Sequence, residues 1–176
     1  MKTNIALIGF MGAGKTAVGR ALAQRLKREF VETDAVIEKQ AGKSIADIFQ
    51  QQGEIAFREL EIAMTKEVAG GGNRVIACGG GIDLNKINID RLKQSSVIVY
   101  LTVSPGAVAR RTAQDHGVRP LLNVGDRIAE IKALLRFRKP LYENAADITV
   151  NTSGIGIETV VETIIEEMRR YESSGR

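Results

Sequence analysis

The stretch Gly9-Phe10-Met11-Gly12-Ala13-Gly14-Lys15-Thr16 constrains this chain more than any other. The apolar run Ile5 to Ile8 precedes it and has the length of a buried strand. Val18, Leu22 and Leu26 follow at helical spacing, so a helix is expected from about Lys15. Strand, Gly-x-x-x-x-Gly-Lys-Thr and helix in that order make a P-loop. Its glycines let the backbone curl so that successive N–H groups face phosphate oxygens. The helix N-terminus brings its positive dipole end to the same place. Lys15 then supplies a point charge for the β- and γ-phosphates, and the Thr16 hydroxyl a ligand for Mg²⁺. By itself this motif implies a nucleotide with Mg²⁺ as cofactors.

The remaining pattern alternates strands with helices, which implies a parallel sheet covered on both faces. Phe30 to Asp34 reads as a second strand ending in two carboxylates, Glu32 and Asp34. Alternation along a strand would turn both acids to one face, at the edge where open α/β sheets bind ligands. A short helix over Ala35 to Gln40 stops at Gly42. Ser44-Ile45-Ala46-Asp47 caps a further helix, which Gly53 interrupts and Glu54 to Val68 resumes. Phe57, Leu60 and Met64 form its apolar stripe, with Phe49 and Phe57 expected in the core. Arg58 and Glu61 lie beside the stripe, and from this segment alone Arg58 is expected to be solvated.

Arg74 to Cys78 is a third strand, with Gly79-Gly80-Gly81 directly after it. Three glycines there allow a ligand to approach the backbone closely, although a flexible loop has the same composition. Asn85-Lys86-Ile87-Asn88 resembles a guanine-reading motif but lacks the needed terminal acid. Val97 to Val103 is a fourth strand, and Ser104-Pro105 starts the next helix, which carries Arg110 and Arg111. A loop from Asp115 to Leu122 contains His116 and Arg119. His116 has no second His or Cys to make a metal site and is expected to be exposed. A long basic helix over Asp126 to Glu143, a fifth strand over Asp147 to Asn151 and an amphipathic helix over Ile155 to Tyr171 complete the chain.

With 176 residues, one domain over 1–176 is expected. The net charge of +4 suits an anionic small molecule, and the basic region lacks the interleaved aromatics of a single-strand binder. No nucleic-acid partner is expected. No apolar run approaches a membrane span, the first strand leaves no room for a signal peptide, and Cys78 can form no intrachain disulfide. These features lead to the expectation of a cytoplasmic protein with no membrane partner. Cys78 itself is expected to be a small buried residue rather than a reactive thiol.

In combination these segments resemble the shikimate kinase family, within the nucleoside-monophosphate-kinase-like P-loop fold. The resemblance rests on Gly9 to Thr16, Thr33-Asp34 with Ile37-Glu38, Phe57-Arg58-Glu59-Leu60-Glu61, Gly79-Gly80-Gly81, Arg119-Pro120-Leu121-Leu122 and Arg138-Lys139-Pro140-Leu141-Tyr142. It implies a five-stranded parallel sheet in the order 2-3-1-4-5. It also implies a substrate-binding segment over about 35–61 and a lid over about 113–124. The implied reaction is phosphorylation of the 3-hydroxyl of shikimate by ATP, in chorismate and aromatic amino acid biosynthesis, by a monomer.

The resemblance further assigns roles. Gly12, Ala13, Gly14, Lys15, Thr16 and Ala17 would bind ATP, with Arg111 on its adenine side. Lys15, Asp34 and Arg119 would be catalytic, Asp34 as base and Arg119 as a lid arginine stabilising the transferred phosphoryl. Asp34, Arg58, Gly79, Gly80, Gly81 and Arg138 would bind the substrate, the two arginines clamping its carboxylate. Thr16 and Glu32 would hold Mg²⁺. Glu32 departs from the family's Asp-x-Asp, keeping the charge and changing the reach. A gluconate-type kinase is the nearest alternative, and the two-arginine clamp with the glycine triplet favours shikimate over it. A catalytically silent nucleotide-binding module is a further alternative, opposed by intact Lys15, Thr16, Asp34 and Arg119.

Overall fold

A computed structural model of the chain describes residues 2–113 and 127–175. Five strands form one sheet: β1 (Asn4–Ile8), β2 (Glu29–Glu32), β3 (Arg74–Ala77), β4 (Ser96–Thr102) and β5 (Ile148–Asn151). They pair in the order β2-β3-β1-β4-β5, every pair parallel, which is the parallel sheet expected from the alternation of elements in the order that the family resemblance implies. Leu7 lies between Ala77 of β3 and Val99 of β4. Ile5, Ala6, Leu7 and Ile8 are all 0% exposed. A central strand covered on both faces has no solvent side to leave polar, hence the continuous apolar run. Edge strand β5 instead alternates buried and exposed positions.

The helices are α1 (Lys15–Leu26), α2 (Thr33–Ala41), α3 (Ile45–Ala69), α4 (Lys86–Ser95), α5 (Pro105–Thr112), α6 (Arg127–Ala145) and α7 (Ile157–Ser173). Helix α1 packs on α7, α3 on α2 and α4, and α5 on α6. The chain adds β2 and β3 on one side of β1, then β4 and β5 on the other. The order therefore reverses around β1, and its carboxyl end is where a ligand crevice opens. The P-loop occupies that end.

Three local differences from the sequence reading matter. The second strand ends at Glu32, and α2 begins at once with Thr33. Asp34 therefore sits in the first turn of a helix, and strand alternation does not govern its direction. The reason is Thr33, 2% exposed, whose hydroxyl accepts the Gly79 N–H at 2.8 Å and turns the chain inward. Helix α4 is an element the hydrophobic pattern does not reveal. Its inward face is Asn88, Ile89 and Leu92, so a buried amide interrupts the stripe. The basic helix α6 continues two residues past Glu143, to Ala145.

Helix α3 starts as expected, with the Ser44 hydroxyl accepting from the Asp47 N–H at 3.1 Å. Gly53 breaks it with φ 82° and ψ 176°. That conformation is closed to L side chains. The break separates the first turns of α3 from the half that carries Phe57, Arg58 and Glu61.

Candidate active site

The P-loop backbone requires its glycines. Gly12 and Gly14 have φ of 72° and 91°, in the left-handed region. A Cβ on Gly9 would stand 2.5 Å from the Leu101 carbonyl oxygen. Ala13 is fully buried and its N–H returns to the Phe10 carbonyl at 3.2 Å. Gly14 caps α1 with no side-chain hydrogen bond. The first N–H groups of α1, on Lys15, Thr16 and Ala17, thus have no side-chain cap and suit an anion. Lys15 Nζ donates to the Gly9 and Phe10 carbonyls at 2.7 and 2.9 Å, which holds the ammonium across the loop. Arg111, from α5, donates to the Gly12 carbonyl at 2.8 Å and to the Thr152 carbonyl at 2.7 Å. It ties the P-loop to the segment after β5.

Beside the loop, Thr16 Oγ1 donates to Glu32 Oε1 at 2.5 Å, and Arg20 Nη2 lies 3.6 Å from Glu32 Oε2. The two residues expected to hold a metal are therefore adjacent. A hydroxyl and a carboxylate are hard oxygen donors and fit Mg²⁺, which fills its other positions with water and phosphate. Among the described residues no group of three or more His, Cys, Asp or Glu is placed to bind a metal by itself.

The Gly79–Gly81 loop lies between the P-loop and two arginines. A Cβ on Gly79 would come within 2.5 Å of Asp34 Oδ1. One on Gly80 would stand 3.6 Å from the Met11 backbone nitrogen, and one on Gly81 2.8 Å from Arg58 Nη1. Arg58 Nη1 donates to the Gly81 carbonyl at 3.4 Å and to both Glu61 oxygens at 3.2 Å. Its guanidinium carbon lies 5.2 Å from the Phe57 ring centroid. From its segment alone Arg58 reads as solvated, and the family resemblance reverses that reading; its side chain is 22% exposed, because α3 turns it toward the glycine loop. Phe57 is 6% exposed and pairs with Phe49 at 4.7 Å between ring centroids. Arg138, on α6, donates through Nη1 to the Gly80 carbonyl at 3.1 Å and to Asp83 Oδ1 at 3.2 Å. One turn on, the Tyr142 hydroxyl donates to the same Gly80 carbonyl at 2.6 Å.

Two guanidinium groups, from different helices, thus meet one loop whose other end touches Asp34. Burial raises the Glu61 carboxyl above its ordinary value, with Arg58 pulling it back, and raises the Asp83 carboxyl likewise against Arg138. Burial pushes Tyr142 far up, so it stays a neutral donor. Cys78 is buried and pushed up to about 12, as befits a packing residue rather than a nucleophile. Glu61 and Asp83 carry roles at the site that motif reading passes over. Glu61 stands three residues after Arg58, which would have signalled the pair. Asp83 is an acid two residues past a glycine triplet. Arg119, His116 and nearly all of the expected lid over 113–124 lie outside the described residues.

Residues 11–169 match the family model described as shikimate kinase. A shikimate kinase of Pelotomaculum thermopropionicum is 46% identical over 168 residues, covering 96% of this chain and 96% of its own. One from Thermodesulfovibrio yellowstonii is 45% identical, covering 97% of each chain. A solved shikimate kinase from Acinetobacter baumannii, in complex with shikimate, superposes with a TM-score of 0.91 at 36% identity. That alignment covers 97% of this chain and 94% of the other. With this match over nearly its whole length, the chain belongs to the shikimate kinase family.

Proposed function

We propose that the chain transfers the γ-phosphoryl of ATP to the 3-hydroxyl of shikimate, giving shikimate 3-phosphate and ADP for chorismate and aromatic amino acid biosynthesis. The observation that carries this reading is the meeting of Arg58 and Arg138 on a glycine loop that also touches Asp34 and the P-loop. Two planar forks suit a carboxylate, which can accept parallel N–H bonds from each. A polyol without a carboxylate has no such use for both, whereas gluconate shares the carboxylate and is separated from shikimate by the assay below. The relative from Acinetobacter baumannii, solved with shikimate, supports the same substrate.

The chain's residues divide the work by position. The N–H groups of Gly12 to Ala17 and the Lys15 ammonium bind the ATP phosphates and stabilise charge as it develops on them. Thr16 and Glu32 hold Mg²⁺, which when bound neutralises phosphate charge. Arg58 and Arg138 fix the substrate by its carboxylate. That fixes where its hydroxyl stands relative to Asp34, which orients it and accepts its proton. By family resemblance Arg119 stabilises charge on the transferred phosphoryl.

By family resemblance we read the chain as a monomer with a single kinase domain over 1–176 acting on small molecules. Among the described residues no helix is long and apolar enough to cross a membrane. The reducing cytoplasm, where the one thiol stays reduced, is the compartment we propose. A coupled ADP-release assay over shikimate, quinate, gluconate and nucleoside monophosphates tests the reading. Shikimate should give by far the highest kcat/KM. Faster turnover of gluconate or of a nucleotide would overturn it.

A further inference from the structure

Arg138 is already engaged before any substrate is considered. Its Nη1 is shared between the Gly80 carbonyl and Asp83 Oδ1, and its side chain is 11% exposed. Asp83 follows the glycine loop in a short 3-10 turn (Ile82–Leu84), with its side chain 0% exposed. Among the described residues, Asp83 Oδ2 is buried without a hydrogen-bond partner. The other buried acid nearby, Glu61, is partnered on both oxygens, taking Arg58 on each and Asn88 Nδ2 at 3.2 Å. Arg138 is paired with Asp83, and Arg58 with both buried Glu61 and the more exposed Glu54, so the two guanidinium charges are already fully offset. A substrate carboxylate would add a further negative charge to the same buried place. Uncompensated charge there is costly, and a carboxyl takes a proton instead. The unpartnered oxygen of Asp83 is the open position for that proton.

We propose that Asp83 is a positioning residue of the carboxylate clamp: it holds Arg138 by Nη1, presents the rest of the fork to the substrate, and takes up a solvent proton when the substrate carboxylate binds. The proposal rests on the clamp reading given above. The charged groups around Asp83 come from several elements, and Glu54 of α3 reaches the clamp through Arg58. Helix α6 offers Arg138 and Tyr142, α3 offers Arg58 and Glu61, and β4 offers Tyr100. The tyrosines are held neutral, and the arginines stay charged. Asp34, on α2, acts on Glu61 and adds to the negative side. Burial already lifts the Asp83 carboxyl above its ordinary value, and a bound carboxylate lifts it further.

Calorimetry of shikimate binding to the full chain, in buffers of different ionisation enthalpy, reads the proton directly. The parent should take up a proton on binding at pH values between those at which the Asp83 carboxyl titrates in the free and in the shikimate-bound protein. Its affinity should fall as pH rises, by up to about tenfold per pH unit, the limit for one linked proton. Asp83→Asn keeps an acceptor for Arg138 and removes the charge. It should bind shikimate without proton uptake, with an affinity flat in pH and tighter than the parent's at alkaline pH, and with ATP affinity unchanged. A purely structural role would change affinity at every pH and leave the uptake in place. Uptake that persists in Asp83→Asn overturns the proposal, as does parent binding with no uptake. Should the variant not fold, the carboxyl ¹³C titration of Asp83 in the parent decides: shikimate must move it upward. Parent protein that does not bind shikimate at all overturns the functional reading itself, a distinguishable result.

Discussion

Gly79 has no room for a side chain because Asp34 stands where a Cβ would go, 2.5 Å from Oδ1. Gly79→Ala should push that carboxylate aside by about 1 Å. A misplacement of that size costs about 100-fold in turnover. Steady-state kinetics should show kcat falling by that order while KM for ATP holds. At the clamp, Arg58→Ala and Arg138→Ala should each weaken shikimate binding by about 1.5–3 kcal/mol, the range for a hydrogen bond to a charged group, with ATP binding spared. Calorimetry on both variants checks it; normal shikimate binding in both would remove the clamp. Glu32→Gln keeps a partner for Thr16 and loses the charge. Half-maximal rate should then need more Mg²⁺, whereas Glu32→Asp, which restores the usual family residue, should stay active. At this scale the sequence was eloquent where backbone chemistry dictates the residue. Gly12, Gly14, Lys15 and Thr16 announce themselves because few folds need them at that spacing. Arg58 was silent on its own segment, because its environment is set by a glycine loop far along the chain.

Between elements, the junctions carry more than the elements themselves. Gly53 divides α3 at φ 82° and ψ 176°, and a Cβ there would meet nothing within 4 Å. The constraint is therefore in the backbone alone. Gly53→Ala should cost about 1–3 kcal/mol, read as a lower urea midpoint. It should also raise KM for shikimate more than KM for ATP, since Phe57, Arg58 and Glu61 all follow the break. Ser44 and Gly53 were legible as punctuation. The junction of β2 with α2 was not, because Glu32-Thr33-Asp34 continues the strand's alternation. What bends the chain is the distant Gly79 N–H on Thr33. Helix α4 was hidden for a similar reason: Asn88 faces inward to meet Glu61, and a hydropathy pattern counts it as an outward position.

Across the whole molecule, the crevice at the end of β1 gathers charge that the core must tolerate. Glu61 and Asp83 are buried side chains, 2% and 0% exposed, under two arginines. Both carboxyls lie above their ordinary values in the folded chain because burial disfavours their charged forms. The folded protein therefore binds more protons than the unfolded chain between the ordinary carboxylate value, about 4.3 for glutamate, and the raised folded values. Their contribution to stability is fully present below that window. It is lost as pH rises through the folded values, where charging a buried acid opposes folding. The thermal midpoint of the parent should thus decline with rising pH across that window. Glu61→Gln and Asp83→Asn should each flatten the decline, and the slope is the quantity to compare, since either substitution also shifts the midpoint itself. Shikimate adds a second test in the same measurement. A ligand bound only by the folded state raises stability by about 2.7 kcal/mol at one hundred times its dissociation constant. At a fixed shikimate concentration, that gain should be larger at mildly acidic than at alkaline pH in the parent. In Asp83→Asn it should be the same at both. Equal gains in the parent at the two pH values would mean that the buried acids do not respond to the substrate's charge.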